Sequence, residues 1–261
     1  MTNDAPPATT RGLLITGGTS GIGLATALRL ARTHAPVYLL SIDAESTRDK
    51  VHSAFDEGGL PHPVLVEVDV TDRGRLVEIA EELSRDGVDI GTIVASAGIA
   101  VRALALEVED DDVRKMIDVN LYGLFATFQV FAPLVLDKPN GRFIAISSMS
   151  AIHGQKLRAV YAATKAGVSG LVRALAAEWS PLGATVNAIG PGILRTPLTS
   201  PYMDANPERA EAALSHSLAG RLGTVDDVAF TAEYLASPEC GFMTGQTIIL
   251  DGGVTSGSTW W

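Results

Sequence analysis

Leu13-Leu14-Ile15-Thr16-Gly17-Gly18-Thr19-Ser20-Gly21-Ile22-Gly23 is the stretch that decides the fold. It opens as a short apolar run with strand character and closes into a segment whose apolar residues recur at helical period. Glycines between the two let the backbone turn sharply and let a pyrophosphate approach the main-chain amides. A helix beginning at once offers unpaired N–H groups and the positive end of its dipole. Strand, turn and helix start together predict a dinucleotide site at Gly17, Thr19, Ser20, Gly21, Ile22 and Gly23. The same turn would also serve as a purely structural corner.

Outward from this unit, short apolar runs at 12–16, 36–41, 64–68, 92–96, 142–147, 184–189 and 247–250 read as strands. Segments of helical period at 21–33, 45–57, 72–85, 109–136, 159–180 and 225–236 alternate with them. Such alternation implies βαβ units and a doubly wound parallel sheet of about seven strands with helices on both faces. The strands are nearly all apolar, as doubly covered strands should be. Thr71-Asp72, Thr224 and Asp226 are candidate helix starts. The acids Glu107, Glu109, Asp110, Asp111 and Asp112 are expected to dress another, where negative charge favours the dipole. One domain is expected over 11–261, preceded by a flexible tail at 1–10. The least regular stretch, 190–223, carries Pro197, Pro201 and Pro207, and is expected to hold a substrate lid near 193–222.

Bulk composition narrows the function. The 261 residues are 46% hydrophobic, enough for a sizeable core, and the formal charge of −10 disfavours nucleic acid and anionic membrane surfaces. A small neutral or cationic substrate is the expectation from the global sign, which local charge can override. Cys240 is the only cysteine, so no intramolecular disulfide forms. No uninterrupted apolar run approaches the roughly 18 residues of a membrane span, and the polar start lacks the pattern of a signal peptide. A cytoplasmic protein is expected. Histidines 34, 52, 62, 153 and 216 lack metal-ligand spacing, and no catalytic metal is predicted.

Tyr161 and Lys165 stand four residues apart, on one face of a predicted helix, with Ser148 thirteen residues upstream. An ammonium beside a phenol favours the phenolate and makes it a usable proton carrier. Where the second strand ends, an acid would bond the adenosine ribose and an arginine would favour a 2′-phosphate. Ser41 and Asp43 stand there, with Asp43 two positions later than such an acid would be. With no cation placed for a phosphate, the reading leans to NAD; the serines Ser20 and Ser41 would still accept NADP. Asp43 reads equally as a solvated loop acid.

In order, the motifs are Thr16-Gly17 to Gly21-x-Gly23, Asp69-Val70, Ala95-Ser96-Ala97-Gly98, Asn120, Ser148, Tyr161, Lys165 and Pro191-Gly192 with Thr196. This pattern resembles the short-chain dehydrogenase/reductase family in its single-domain form, over about residues 11 to 253. One departure is that the two asparagines usual before the Ala-Gly pair, which mainly brace the sheet, are Ala95 and Ser96. The resemblance implies a Rossmann-like fold and hydride transfer between NAD or NADP and a small secondary alcohol or ketone. It implies that Tyr161 is the acid or base and that Lys165 bonds the nicotinamide ribose. Ser148 would donate to the substrate oxygen, and Asn120 would hold a water on the proton path. It further implies that Asp69 and Val70 contact adenine and that Ala97 and Gly98 lie along the ribose. Pro191, Gly192, Ile193 and Thr196 would lie on the nicotinamide side. Homo-oligomers, often tetramers, are the family habit, through the helices near 109–136 and 159–180. Met149, His153, Gln155 and Tyr202 are expected to line the substrate pocket. A 3-oxoacyl-carrier-protein reductase is an alternative, for which Arg102, Lys156 and Arg158 make a modest basic entrance. A non-catalytic dinucleotide sensor is another, disfavoured by the complete set of Asn120, Ser148, Tyr161 and Lys165.

Overall fold

Seven parallel strands form one sheet in the computed structural model, which describes residues 11–196 and 198–257. The N-terminal tail and Trp260-Trp261 lie outside the described residues. In chain order the strands are β1 (Gly12–Thr16), β2 (Val37–Ser41), β3 (Val64–Glu67), β4 (Ile90–Ala95), β5 (Gly141–Ile146), β6 (Ala184–Pro191) and β7 (Thr247–Leu250). Their order across the sheet is β3-β2-β1-β4-β5-β6-β7, so the winding reverses between β1 and β4. A crevice outside the carboxyl ends of strands at such a reversal is where α/β sheets bind ligands.

Side chains of successive strand residues point to opposite faces, and two cores result. Leu14, Ile93, Ala95, Phe143 and Ala145 enter one; Leu13, Ile15, Val94, Ile144 and Ile146 enter the other. The helices α1 (Gly21–Leu30), α2 (Arg48–Glu57) and α9 (Val225–Ala236) cover the second face through Leu30, Phe55 and Leu235. The first is covered by α3 (Arg73–Arg85), α4 (Asp110–Ile117), α5 (Leu124–Phe131) and α6 (Ala159–Trp179). Phe128 meets Phe143 edge-on at 5.3 Å between ring centroids, an arrangement worth about 0.5–1.5 kcal/mol beyond burial.

The predicted helix starts are real. Asp72 caps α3 by accepting from the Arg75 amide at 3.0 Å. Thr224 caps α9 in a capping box whose partner is Asp227. The three acids Asp110 to Asp112 occupy the first turn of α4.

Two segments differ from the sequence reading. The helix expected at 109–136 is interrupted by a π-helical stretch at Asp118–Gly123 and ends in a 3-10 turn at Ala132–Leu134. Asp110–Leu134 is long and apolar enough to cross a membrane, yet half of its most apolar window is buried in the fold. The region read as irregular contains two short helices, α7 (Ser200–Ala205) and α8 (Pro207–Ser215). Proline at the first turn of each is compatible with helix, because that N–H has no intrahelical partner.

Candidate active site

The glycine turn is shaped by close main-chain approaches. Gly17 and Gly21 have φ of 66° and 50°, a left-handed conformation that glycine adopts without strain. A Cβ on Gly17 would come 2.8 Å from the backbone of Ala97. One on Gly23 would overlap the Gly17 carbonyl oxygen. The turn therefore lies flat against the Ala97-Gly98 segment after β4. Ser20 is the N-cap of α1, but its side chain makes no cap bond and no acid stands in the first turn. The first-turn amides remain available to an anion.

Asp43 folds back on this turn. Its Oδ1 accepts from the Thr19 hydroxyl at 2.7 Å and from the Ser41 hydroxyl at 2.5 Å. Burial opposes ionisation, but the Ser41 and Thr19 bonds, with the charge of Lys50, outweigh it and hold the carboxyl below its ordinary range. Asp43 is thus a brace between the turn and the end of β2, rather than a solvated loop acid. Asp69 also has a structural partner, since its Oδ1 accepts from the Thr71 amide at 2.9 Å and the Thr71 hydroxyl at 2.8 Å.

A cleft of about 420 Å³ begins at Ser41 and Asp43, passes Asp69, Val70, Ala97 and Gly98, and reaches Thr196. A smaller cavity shares Ile22, Gly98 and Thr196 with it and ends on Ser148, Tyr161 and Lys165. The bare glycine cradle, the open helix N-terminus and this continuous groove fit an extended dinucleotide with its reactive end at Tyr161.

Three elements converge there. Ser148 caps the 3-10 turn after β5, and its Oγ accepts from the Ser150 amide at 3.1 Å. Tyr161 and Lys165 project from the first turns of α6 into the same cavity. The Ser147 hydroxyl donates to the Lys165 carbonyl at 3.0 Å, fastening α6 to the end of β5. Asn120 comes from the π-helical stretch and is fully buried. Its Nδ2 donates to the Ile99 carbonyl at 2.9 Å and to Thr164 Oγ1 at 3.2 Å, while its Oδ1 accepts from the Ile99 amide at 2.8 Å. The side chain therefore braces the loop after β4 against α6. That supplies bracing beside Ala95 and Ser96, and the Ser96 amide still donates to Thr16 at 3.1 Å.

The family model described as Enoyl-(Acyl carrier protein) reductase matches residues 17–255. The chain belongs to the short-chain dehydrogenase/reductase family. It is 37% identical over 242 residues to the 3-oxoacyl-[acyl-carrier-protein] reductase FabG of Thermotoga maritima, covering 92% of this chain and 96% of that protein. It is 31% identical over 242 residues to the gluconate 5-dehydrogenase of Gluconobacter oxydans, covering 93% of each. Among solved structures, a gluconate 5-dehydrogenase from Burkholderia cenocepacia in complex with NADP and tartrate superimposes with a TM-score of 0.88 at 30% identity. That match covers 95% of this chain and 96% of the other.

Electrostatics of this short-chain dehydrogenase/reductase depart from the sequence expectation at one point. Burial pushes the Tyr161 hydroxyl above its ordinary value. It is opposed by a hydrogen bond with Ser148 and then by the charges of Arg158 and Arg102, not by Lys165. Lys165 is itself desolvated, and burial brings its pKa down to about 8. Its Nζ donates to the Ile146 carbonyl at 2.8 Å and stands 5.8 Å from the Tyr161 ring centroid. The guanidinium of Arg158 is closer to that ring, at 4.8 Å.

Beyond Tyr161 lies a larger cavity of about 590 Å³. Met149, Gln155 and Tyr202 line it as expected, with Ile193 and Gly192 on another side. His153 does not. The 3-10 turn ends before it, its amide donates to the Met149 carbonyl at 3.0 Å, and its side chain is left exposed. Sequence reasoning did not assign Ser150, Thr199 or His216 to this wall, and saw Arg102 and Arg158 only as a basic entrance. The signal for Arg158 was its place three residues before Tyr161 at a helix start. Among the described residues, no group of three His, Cys, Asp or Glu side chains could hold a metal ion.

Proposed function

We propose that this oxidoreductase moves hydride between NADP(H) and a secondary alcohol or its ketone, with Tyr161 carrying the proton. The observation that carries the reading is the single groove joining the glycine turn to Ser148, Tyr161 and Lys165. When bound, the nicotinamide supplies or accepts the hydride; this chain aligns the partners and handles the proton.

In ketone reduction the Tyr161 hydroxyl donates its proton to the substrate oxygen, and in alcohol oxidation the phenolate takes it back. The elevated pKa keeps the acid form populated through neutral pH. Ser148 donates to the same oxygen, where negative charge develops. Lys165, in the same cavity, bonds the nicotinamide ribose. Thr196 faces the carboxamide. Asp69 and Val70 flank adenine.

The choice of NADP revises the lean to NAD. It is supported by the NADP held by the Burkholderia relative. The chain's own support is that Ser41, a hydroxyl donor, stands where an NAD enzyme would place a free acid, while Asp43 is engaged by Thr19 and Ser41. Lys50 is near enough to depress Asp43 and adds positive charge on that side. A second reading, reduction of 3-oxoacyl groups on a carrier protein, is favoured by the Thermotoga relative. A cytoplasmic homotetramer remains part of the proposal, supported by the exposed Ile117 and Tyr122 on the 110–134 helix.

Steady-state turnover of alcohol and ketone panels with NADPH and NADH tests the reading. Hydride transfer with kcat/KM higher for the phosphorylated cofactor is expected. A preference for NADH would overturn the cofactor choice, and no transfer with either would overturn the function.

A further inference from the structure

We propose that the cavity beyond Tyr161 is an anion subsite that selects substrates bearing a free carboxylate within a few bonds of the reacting carbon. The inference rests on the oxidoreductase reading and names its substrate class.

The wall of that cavity is charged against the rest of the molecule. The chain carries 30 acids and 20 Lys and Arg residues, yet Arg102, Lys156 and Arg158 line the cavity and no Asp or Glu does. The global negative sign, which favoured a neutral or cationic substrate, is inverted at the one surface the substrate touches. Arg158 is partly buried, and its guanidinium makes no ion pair or side-chain hydrogen bond among the described residues; its contact is the face of Tyr161. Holding a desolvated cation without an anion is unfavourable unless a ligand completes the pair. Arg102 is held flat against the Tyr202 ring at 3.7 Å, which fixes the plane of a second fork. Guanidinium forks match carboxylates in two-point geometry, and aromatic stacking leaves their N–H edges free to do so.

Position fixes the kind of anion. Arg158 lies against the ring of the proton-carrying tyrosine, so a group it binds sits beside the carbonyl being reduced. A 3-oxoacyl thioester is uncharged there, and the phosphate of its carrier arm lies many bonds away. A short oxo acid or hydroxy acid puts its carboxylate at that spot.

The test compares acids with their neutral esters at saturating NADPH: acetoacetate with methyl acetoacetate, and 4-oxopentanoate with its methyl ester. The kcat/KM ratio of acid to ester is the readout, because it cancels any damage a variant does to Tyr161 itself. The wild type is expected to favour the acid of at least one pair, and Arg158→Gln and Arg102→Gln are each expected to reduce that ratio by about 10–100-fold. Calorimetric titration of the NADP-loaded enzyme with tartrate gives a second readout, with Kd expected to rise about tenfold or more in Arg158→Gln. An ester used as well as its acid, or a ratio that neither variant changes, overturns the inference. So does higher kcat/KM for the N-acetylcysteamine thioester than for the free acid, which would point to carrier-linked substrates. If no alcohol or ketone turns over, the function reading has failed, and the tartrate titration alone decides the subsite.

Discussion

Lys165→Met is expected to stabilise the protein while ending turnover. The lysine is 4% exposed, and burial brings its pKa from 10.5 to about 8. At about 1.4 kcal/mol per unit, carrying the ammonium in the groove at pH 7 costs the folded state about 3 kcal/mol. Methionine has a similar unbranched stem and removes that term. It also leaves the Ile146 carbonyl without its 2.8 Å donor, a loss of about 1–2 kcal/mol. The net expectation at pH 7 is a gain of about 1–2 kcal/mol. The sign with pH follows from proton counting. Between about 8 and 10.5 the unfolded chain holds a proton on this lysine that the folded chain has released, so wild-type stability rises with pH across that window. The variant lacks the group and does not share the rise. Its advantage is therefore largest below pH 8 and disappears toward 10.5, where the wild type keeps a neutral lysine with its hydrogen bond. Urea unfolding at fixed protein concentration, at steps from pH 7 to 10, measures the difference. A variant less stable than the wild type at pH 7, or a gap independent of pH, would refute the electrostatic account.

Three further perturbations follow from the same geometry. Tyr161→Phe keeps the ring and removes the proton carrier; turnover is expected to fall by about 10²–10⁴-fold, with NADPH affinity from fluorescence titration nearly unchanged. Ser41→Asp sets a carboxylate at the end of β2 beside Asp43, and the ratio of kcat/KM for NADPH over NADH is expected to fall by about tenfold or more, since a 2′-phosphate would meet added negative charge. Thr224→Ala removes the hydroxyl that accepts from the Asp227 amide at 3.2 Å; denaturation should register a loss of about 1–2 kcal/mol with the catalytic constants unchanged.

Much of this architecture was readable because local and global demands agree. Strands covered on both sides must be apolar over their whole length, and the runs in β1, β4 and β5 announce that directly. Tyr161 and Lys165 share a pocket because four residues make nearly one helical turn. What escaped depended on distance in the chain. Nothing in the order of residues says that Arg102 and Arg158 meet across one cavity, or that Lys165 spends its donor on the Ile146 carbonyl. His153 lay in the right interval, but a single 3-10 turn decides which of its neighbours face inward. The two helices at 200–215 were hidden by prolines that read as loop markers and are helix starters in place. The π-helical stretch leaves no simple periodicity to detect.

That stretch has a consequence for how this chain can change. Each residue of a helix rotates its successor by about 100°, so removing one residue between Asp118 and Gly123 would swing everything downstream around the axis. Phe128 and Phe131, both wholly enclosed, would leave their places in the interior, and Asn120 would lose its hold on Ile99. Substitutions here can be absorbed one at a time, whereas a change in residue number cannot. Exposed turns such as the one at Gly59, where an added Cβ would meet nothing within 4 Å, have the opposite character. Among descendants of this sequence, length should drift at such turns and stay frozen through this helix.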